Sequence, residues 1–76
     1  MVRYQVIYTY VNIRTGPSTE YRKVGTYDEG EIINSGGYPF EGEDGNIWVS
    51  YTGGQSGKTR YVCFRDHSTQ YLERID

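Results

Sequence analysis

The chain has 76 residues and a net charge of −2; it holds nine Tyr, two Phe, one Trp and ten Gly. A chain this short forms one small domain and buries only about 60% of its unfolded surface, which leaves little room for a deep, water-excluded active site. The acidic balance argues against nucleic acid as a partner, the single Cys63 excludes an intrachain disulfide, and no apolar run approaches the roughly 20 residues of a membrane span.

Aromatic and β-branched residues fit a pleated, half-buried surface, whereas good helix formers are scarce: one Met, one Leu and no Ala. Arg3 to Tyr10 therefore reads as an extended segment. Tyr4, Val6, Tyr8 and Tyr10 share one parity, a stripe that is either half core and half surface or the wall of a groove. Val11 and Ile13 take the opposite parity. A one-residue slip moves every side chain to the other face, so a bend or bulge is expected between Tyr10 and Val11. Gly16-Pro17-Ser18-Thr19 is a turn, because Gly tolerates positive φ and Pro fixes φ while removing a donor.

Tyr21 to Tyr27 reads as the next strand, Asp28-Glu29-Gly30 as a turn and Glu31 to Ser35 as a strand broken by Gly36-Gly37. Tyr38 to Glu41 is expected to be irregular. Gly42-Glu43-Asp44-Gly45 carries the Asp-Gly hairpin signal. Trp48 to Tyr51 is a strand, Thr52 to Gly57 a loop and Thr59 to Phe64 a strand. Arg65 to Thr69 reads as a short helical turn and Tyr71 to Ile75 as the last strand. Six or seven short strands, with turns roughly every 8–12 residues, make the pattern of a small antiparallel barrel or sandwich. No internal repeat, low-complexity tract or linker interrupts it. The N-terminus shows no signal-peptide pattern, which bears little on the parent protein.

The residues that could do chemistry do not converge. Cys63 and His67 are four apart, a spacing that would set them one turn apart on one face of a helix, but Thr59 to Phe64 reads as strand. A Cys-His dyad also needs an orienting group and an oxyanion site. One Cys and one His without a paired-Cys motif make a poor zinc site. Glu43, Asp44 and Asn46 are oxygen ligands of the kind calcium accepts, but their spacing departs from the EF-hand loop and a hairpin turn explains them. Gly53 to Thr59 ends Gly-Lys-Thr like a phosphate loop; strand-forming Arg60-Tyr61-Val62 follows where that motif needs a helix. No cofactor and no metal are expected.

Two stretches carry a resemblance. Val11-Asn12-Ile13-Arg14-Thr15-Gly16-Pro17-Ser18, followed by Tyr21, Val24-Gly25 and Gly30, resembles the bacterial SH3-like (SH3b) domain. Asp44 to Gly53, with Gly57-Lys58-Thr59-Arg60-Tyr61-Val62 after it, is similar to the cell-wall-targeting form of that domain in lysostaphin-type enzymes and phage endolysins. The resemblance covers roughly residues 8 to 75; residues 1 to 7 read as an N-terminal extension strand, and 1 to 76 as a single domain. It implies an all-β fold, a small SH3-like antiparallel β-barrel. It also implies a non-catalytic module that binds the peptide part of peptidoglycan and brings an attached hydrolase to the bacterial cell wall. The alternative is a module that docks to another protein or domain without wall affinity.

The resemblance places Tyr61 in the ligand groove, with Tyr38, Phe40 and Glu41 in the loop that lines it and Tyr8 and Tyr10 at its margin. Asn12 is expected to bond turn backbone and Arg14 to pair with a carboxylate. The chain departs from the often basic wall-binding domains: Asp28 to Gly57 contains no Lys or Arg but six carboxylates. That shifts weight from general attraction to a specific pocket. Glu41, Glu43 and Asp44 are then the expected receivers of a free peptide amine.

Overall fold

The computed structural model describes residues 2–53 and 57–76. The middle of the Gly53 to Thr59 loop, and with it that loop's phosphate-loop resemblance, lies outside the described residues. The described chain is all-β: β1 Val2–Val6, β2 Tyr10–Arg14, β3 Lys23–Asp28, β4 Ile32–Ser35, β5 Phe40–Glu41, β6 Ile47–Thr52, β7 Thr59–Arg65 and β8 Leu72–Arg74. That is one strand beyond the six or seven expected. The Tyr38 to Glu41 segment, read as irregular, contains the two-residue β5.

The strands form two antiparallel sheets, β4-β1-β8 and β3-β2-β7-β6-β5. They do not close into one continuous barrel. Gly36-Gly37 ends β4, and the join to β6 is a side-chain bond: Ser35 Oγ donates to the Ser50 carbonyl at 2.6 Å. On the other side, Tyr71 N donates to the Phe64 carbonyl and Ile7 N to the Tyr71 carbonyl, both at 2.9 Å.

β1 is no peripheral extension but the centre of the small sheet. Its alternation buries Val2, Tyr4 and Val6 and leaves Arg3 exposed. Tyr4 stands opposite Ile33 on one side and Arg74 on the other, and Val6 stands opposite Leu72. Val11, Val49 and Val62 of the large sheet complete the core cluster. Burying a side chain of this size contributes about 1.5–3 kcal/mol. The parity reset expected at Tyr10 and Val11 falls slightly earlier, at residues 7–9, where the chain leaves one sheet and enters the other. Tyr4 and Val6 thus go into the core, while Tyr8 and Tyr10 stay exposed.

Two register shifts shape the large sheet, at Ile13/Arg14 against β3 and at Ile47/Trp48 against β7. The second skips Phe64, whose ring packs edge-on against Tyr4 with centroids 5.9 Å apart. The helical turn expected over Arg65 to Thr69 is instead a bend. Asp66 Oδ1 accepts from Ser68 N at 2.9 Å and Thr69 N at 2.8 Å, so a side chain takes the donors a helix would have used.

At Trp48 and Val49, β6 is buried on both faces. Val49 belongs to the core, while its neighbour Trp48, 1% exposed, points to the opposite face. The hairpin before β6 and the Gly16 to Thr19 turn cover the indole. Gly42 sits tightly between them: a Cβ there would strike both Trp48 Cδ1 and the Pro17 carbonyl oxygen. Gly42→Ala is therefore expected to cost about 1–3 kcal/mol, roughly 4–8 °C in Tm per kcal/mol for a domain this size. Gly36→Ala, where a Cβ meets nothing within 4 Å, should leave thermal unfolding unchanged. Equal Tm values for the two variants would contradict the packing described.

Candidate functional site

Strand pairing sets which side chains share the outer face of the large sheet. Residues directly opposite one another in register lie on the same face. Phe40 stands opposite Trp48, Trp48 opposite Cys63, Ser50 opposite Tyr61 and Tyr61 opposite Arg14. By alternation along β2, Asn12 and Tyr10 join them. This face, turned away from the core, carries most of the residues of functional interest.

The Gly16 to Thr19 turn folds back onto it, held by Arg14. The guanidinium Nη1 donates to the Thr19 carbonyl at 3.2 Å and the Tyr21 carbonyl at 3.1 Å. Arg14 thus bonds turn backbone, in place of the carboxylate expected for it. Asn12 does not take the turn-bonding role. Its Oδ1 is buried and has no hydrogen-bond partner among the described residues.

Asp44 is the hub of the neighbouring hairpin. Oδ1 accepts from Trp48 Nε1 at 2.9 Å and Asn46 N at 3.0 Å; Oδ2 accepts from Asn46 Nδ2 at 3.1 Å and Thr19 N at 3.2 Å. Burial by itself would raise this carboxyl, but the bonds from Trp48, Asn46 and Thr19 outweigh it and hold the group below its ordinary range. Glu43 accepts from the Tyr21 hydroxyl at 2.8 Å. Two of the three carboxylates expected to receive an amine are therefore already engaged by the protein, and only Glu41 stands exposed without such a bond.

Between β2, the Trp48 edge and the residues 66–71 lies a cleft of about 250 Å³. Tyr8 and Tyr10 line its mouth at 44% and 50% exposure. Tyr8 meets Tyr71 edge-on with centroids 5.1 Å apart. The Tyr71 hydroxyl donates to Asp66 Oδ2 at 2.6 Å, which pushes the phenol up to about 12 and, with the backbone donors of Ser68 and Thr69, holds Asp66 down at about 2. Asn12, Trp48 and Cys63 line the deeper part. Burial pushes the Cys63 thiol up to about 12, the opposite of what a thiolate nucleophile needs. His67 is exposed past the end of β7.

The residues singled out from sequence separate into three places. Tyr8 and Tyr10 belong to the cleft. Phe40 and Tyr61 form an edge-to-face pair with centroids 6.3 Å apart, reaching across β6 above the small Ser50. They share the cleft's sheet face but do not line the cleft, and Glu41 lies beside Phe40 on β5, opposite Ile47. Tyr38, 63% exposed, lies under the Arg74 guanidinium at 4.8 Å from the ring centroid, by the small sheet. Asp66 and Tyr71, which shape the cleft, were not singled out as binding residues. The spacing Asp66-His67-Ser68-Thr69 was their available signal, since an Asp followed by Ser and Thr closes its own turn.

Two solved structures of Ly7917 are similar to this chain. Ly7917 with the hydrolyzing product of MDP matches with 29% identity and a TM-score of 0.71, over 97% of this chain and 32% of that one. A second Ly7917 structure matches with 30% identity and a TM-score of 0.70, over 96% of this chain and 32% of that one. This chain thus spans about a third of the Ly7917 chain. No protein-family model and no curated protein matches the chain.

Asp44, Asp66 and Asp76 are all held below their ordinary value of 3.8. A carboxyl lowered by folding stabilises the fold above its unfolded pKa and loses that contribution as pH falls through its folded one. For Asp66 the window runs from 3.8 down to about 2. The Tm should therefore fall between about pH 4 and pH 2, and Asp66→Asn should flatten part of that fall. An acid limb of the same depth in the variant would show that Asp66 does not contribute to it.

Proposed function

We propose that this chain is an SH3-like cell-wall-binding module that recognises the peptide part of peptidoglycan and targets an attached peptidoglycan hydrolase to the bacterial wall. The observation that carries this reading is the likeness, over nearly the whole chain, to Ly7917, of which one structure holds the hydrolyzing product of MDP, a peptidoglycan fragment. The chain's span of 32% of Ly7917 suits a module joined to other domains. The parent protein would be a phage endolysin or an autolysin, acting at the wall of a Gram-positive cell, and the module itself would carry no catalytic step.

The exposed rings support the same reading. Tyr8, Tyr10, Phe40 and Tyr61 lie on or beside one sheet face, and aromatic side chains offer rigid contact area at low entropic cost. With a net charge of −2, general attraction to an anionic wall is weak, so specific contacts must supply the affinity. The second reading, a module that docks against a neighbouring domain of its own protein, is favoured by the same 32% coverage.

Cosedimentation of a fluorescent fusion with purified cell walls of differing cross-bridge chemistry separates the two. The first reading expects retention on at least one wall type. Phe40→Ala, Tyr61→Ala and Tyr10→Ala should each weaken it about 5- to 30-fold, the range of an interface aromatic, while Glu73→Ala on the small sheet should not. No retention on any wall would remove the wall-binding reading and leave docking.

A further inference from the structure

The cleft has a chemical bias that the aromatic count alone does not reveal. Three of its donor groups are already engaged: Trp48 Nε1 and Asn46 Nδ2 both donate to Asp44, and the Tyr71 hydroxyl donates to Asp66. Its acceptors are not. Asn12 Oδ1 has no partner among the described residues. A carboxylate offers about four acceptor sites, two per oxygen. Asp66 Oδ1 receives Ser68 N, Ser68 Oγ and Thr69 N, whereas Oδ2 receives only the Tyr71 hydroxyl. One site on Oδ2 is therefore open.

Charge and ring faces point the same way. Asp66 is the one carboxylate among the described residues that line the cleft; Arg14 lines it too, with its guanidinium donating to the Thr19 and Tyr21 carbonyls. Tyr8 and Tyr71 stand edge-to-face next to that carboxylate, with Tyr10 half exposed at the mouth. Aromatic faces around an anion make a site for an organic cation, because ring quadrupole and carboxylate both attract positive charge. A buried acceptor left unpaired costs free energy until a donor arrives.

Resting on the wall-peptide reading above, we infer that this cleft receives an amine of the peptide, a primary ammonium held between Asp66 and the Tyr8, Tyr10 and Tyr71 rings, with a neighbouring peptide N–H directed to Asn12 Oδ1. The amine receiver is then not the Glu41 to Asp44 loop but the bend after β7. The ligand is chosen by charge as well as shape, so a wall whose amines are capped is a poor ligand.

The test is a two-dimensional amide NMR titration of the chain with the peptide alanyl-isoglutamyl-lysyl-alanine, its amines free, and with the same peptide acetylated on both amines. The free-amine peptide should shift the amides of Tyr8, Tyr10, Asn12 and Tyr71, and should bind at least tenfold tighter than the acetylated one. Asp66→Asn and, independently, Tyr8→Leu should each reduce that preference at least threefold while keeping a dispersed, folded spectrum. Equal binding of the two peptides, shifts confined to Phe40 and Tyr61, or no shifts at the cleft would overturn the inference. Wall cosedimentation of the unmodified chain is read separately. Walls retained equally before and after acetylation would leave the wall-binding reading standing and remove the amine; walls never retained would remove that reading, while the peptide titration still decides the cleft.

Discussion

The bond from the Trp48 indole to the Asp44 carboxylate, 2.9 Å long, is the constraint on which the outer face depends. An indole N–H buried at 1% exposure must find an acceptor, or its desolvation goes uncompensated. Asp44 is brought there by an Asp-Gly turn in which Gly45 takes φ of 84°, a conformation costly for any residue with a Cβ. The same carboxylate then reaches Thr19 N, so a single group joins the hairpin, the strand and the turn after β2. Gly42 is small because the indole lies against it. Four local sequence choices thus serve one contact.

That contact also gives the large sheet its second layer. A strand with one wet face would leave Trp48 exposed; here the two turns roof it over, and β6 is buried on both sides at Trp48 and Val49. The roof ends at the cleft, where Asn12 and Cys63 continue the same face and the bend at Asp66 supplies the far wall. The Phe40–Tyr61 pair lies on the same face, across β6. Tyr10, Asn12, Phe40 and Tyr61 are displayed by strands, whose backbone is fixed by the ladder, while Tyr8, Asp66 and Tyr71 sit in the connections beside them. Placement on strands limits the ordering cost on binding.

Much of the fold was legible because strand periodicity and turn chemistry are local. The stripe Tyr4, Val6, Tyr8, Tyr10 announced a half-buried segment, and Gly-Pro, Asp-Gly and Gly-Gly marked its punctuation. What the sequence could not disclose were outcomes of long-range pairing. Whether β4 meets β6 through a ladder or through Ser35 depends on where two distant strands end. The passing of the turn-bonding role from Asn12 to Arg14 has the same origin: both match the expected motif, but only the folded turn decides which side chain reaches the carbonyls of Thr19 and Tyr21. Asp66 was hidden by a local ambiguity, since Asp-His-Ser-Thr suits a helical start as well as an Asx turn, and β7 running on to Arg65 settles it. The cleft itself joins residues more than 60 positions apart, a separation that no periodicity spans.

Trp48 is the chain's one indole, and the fold places it at the base of the cleft, sealed from water and tied to a carboxylate. It is therefore a built-in optical probe. The surrounding tyrosines act as donors that pass excitation to a single acceptor, so the emission of the whole molecule reports on one spot. Loosening of the two turns would shift that emission to longer wavelength as water reaches the ring, while a ligand entering the cleft would alter its intensity with the fold intact. Unfolding and occupancy thus leave different marks on the same spectrum, with no label added.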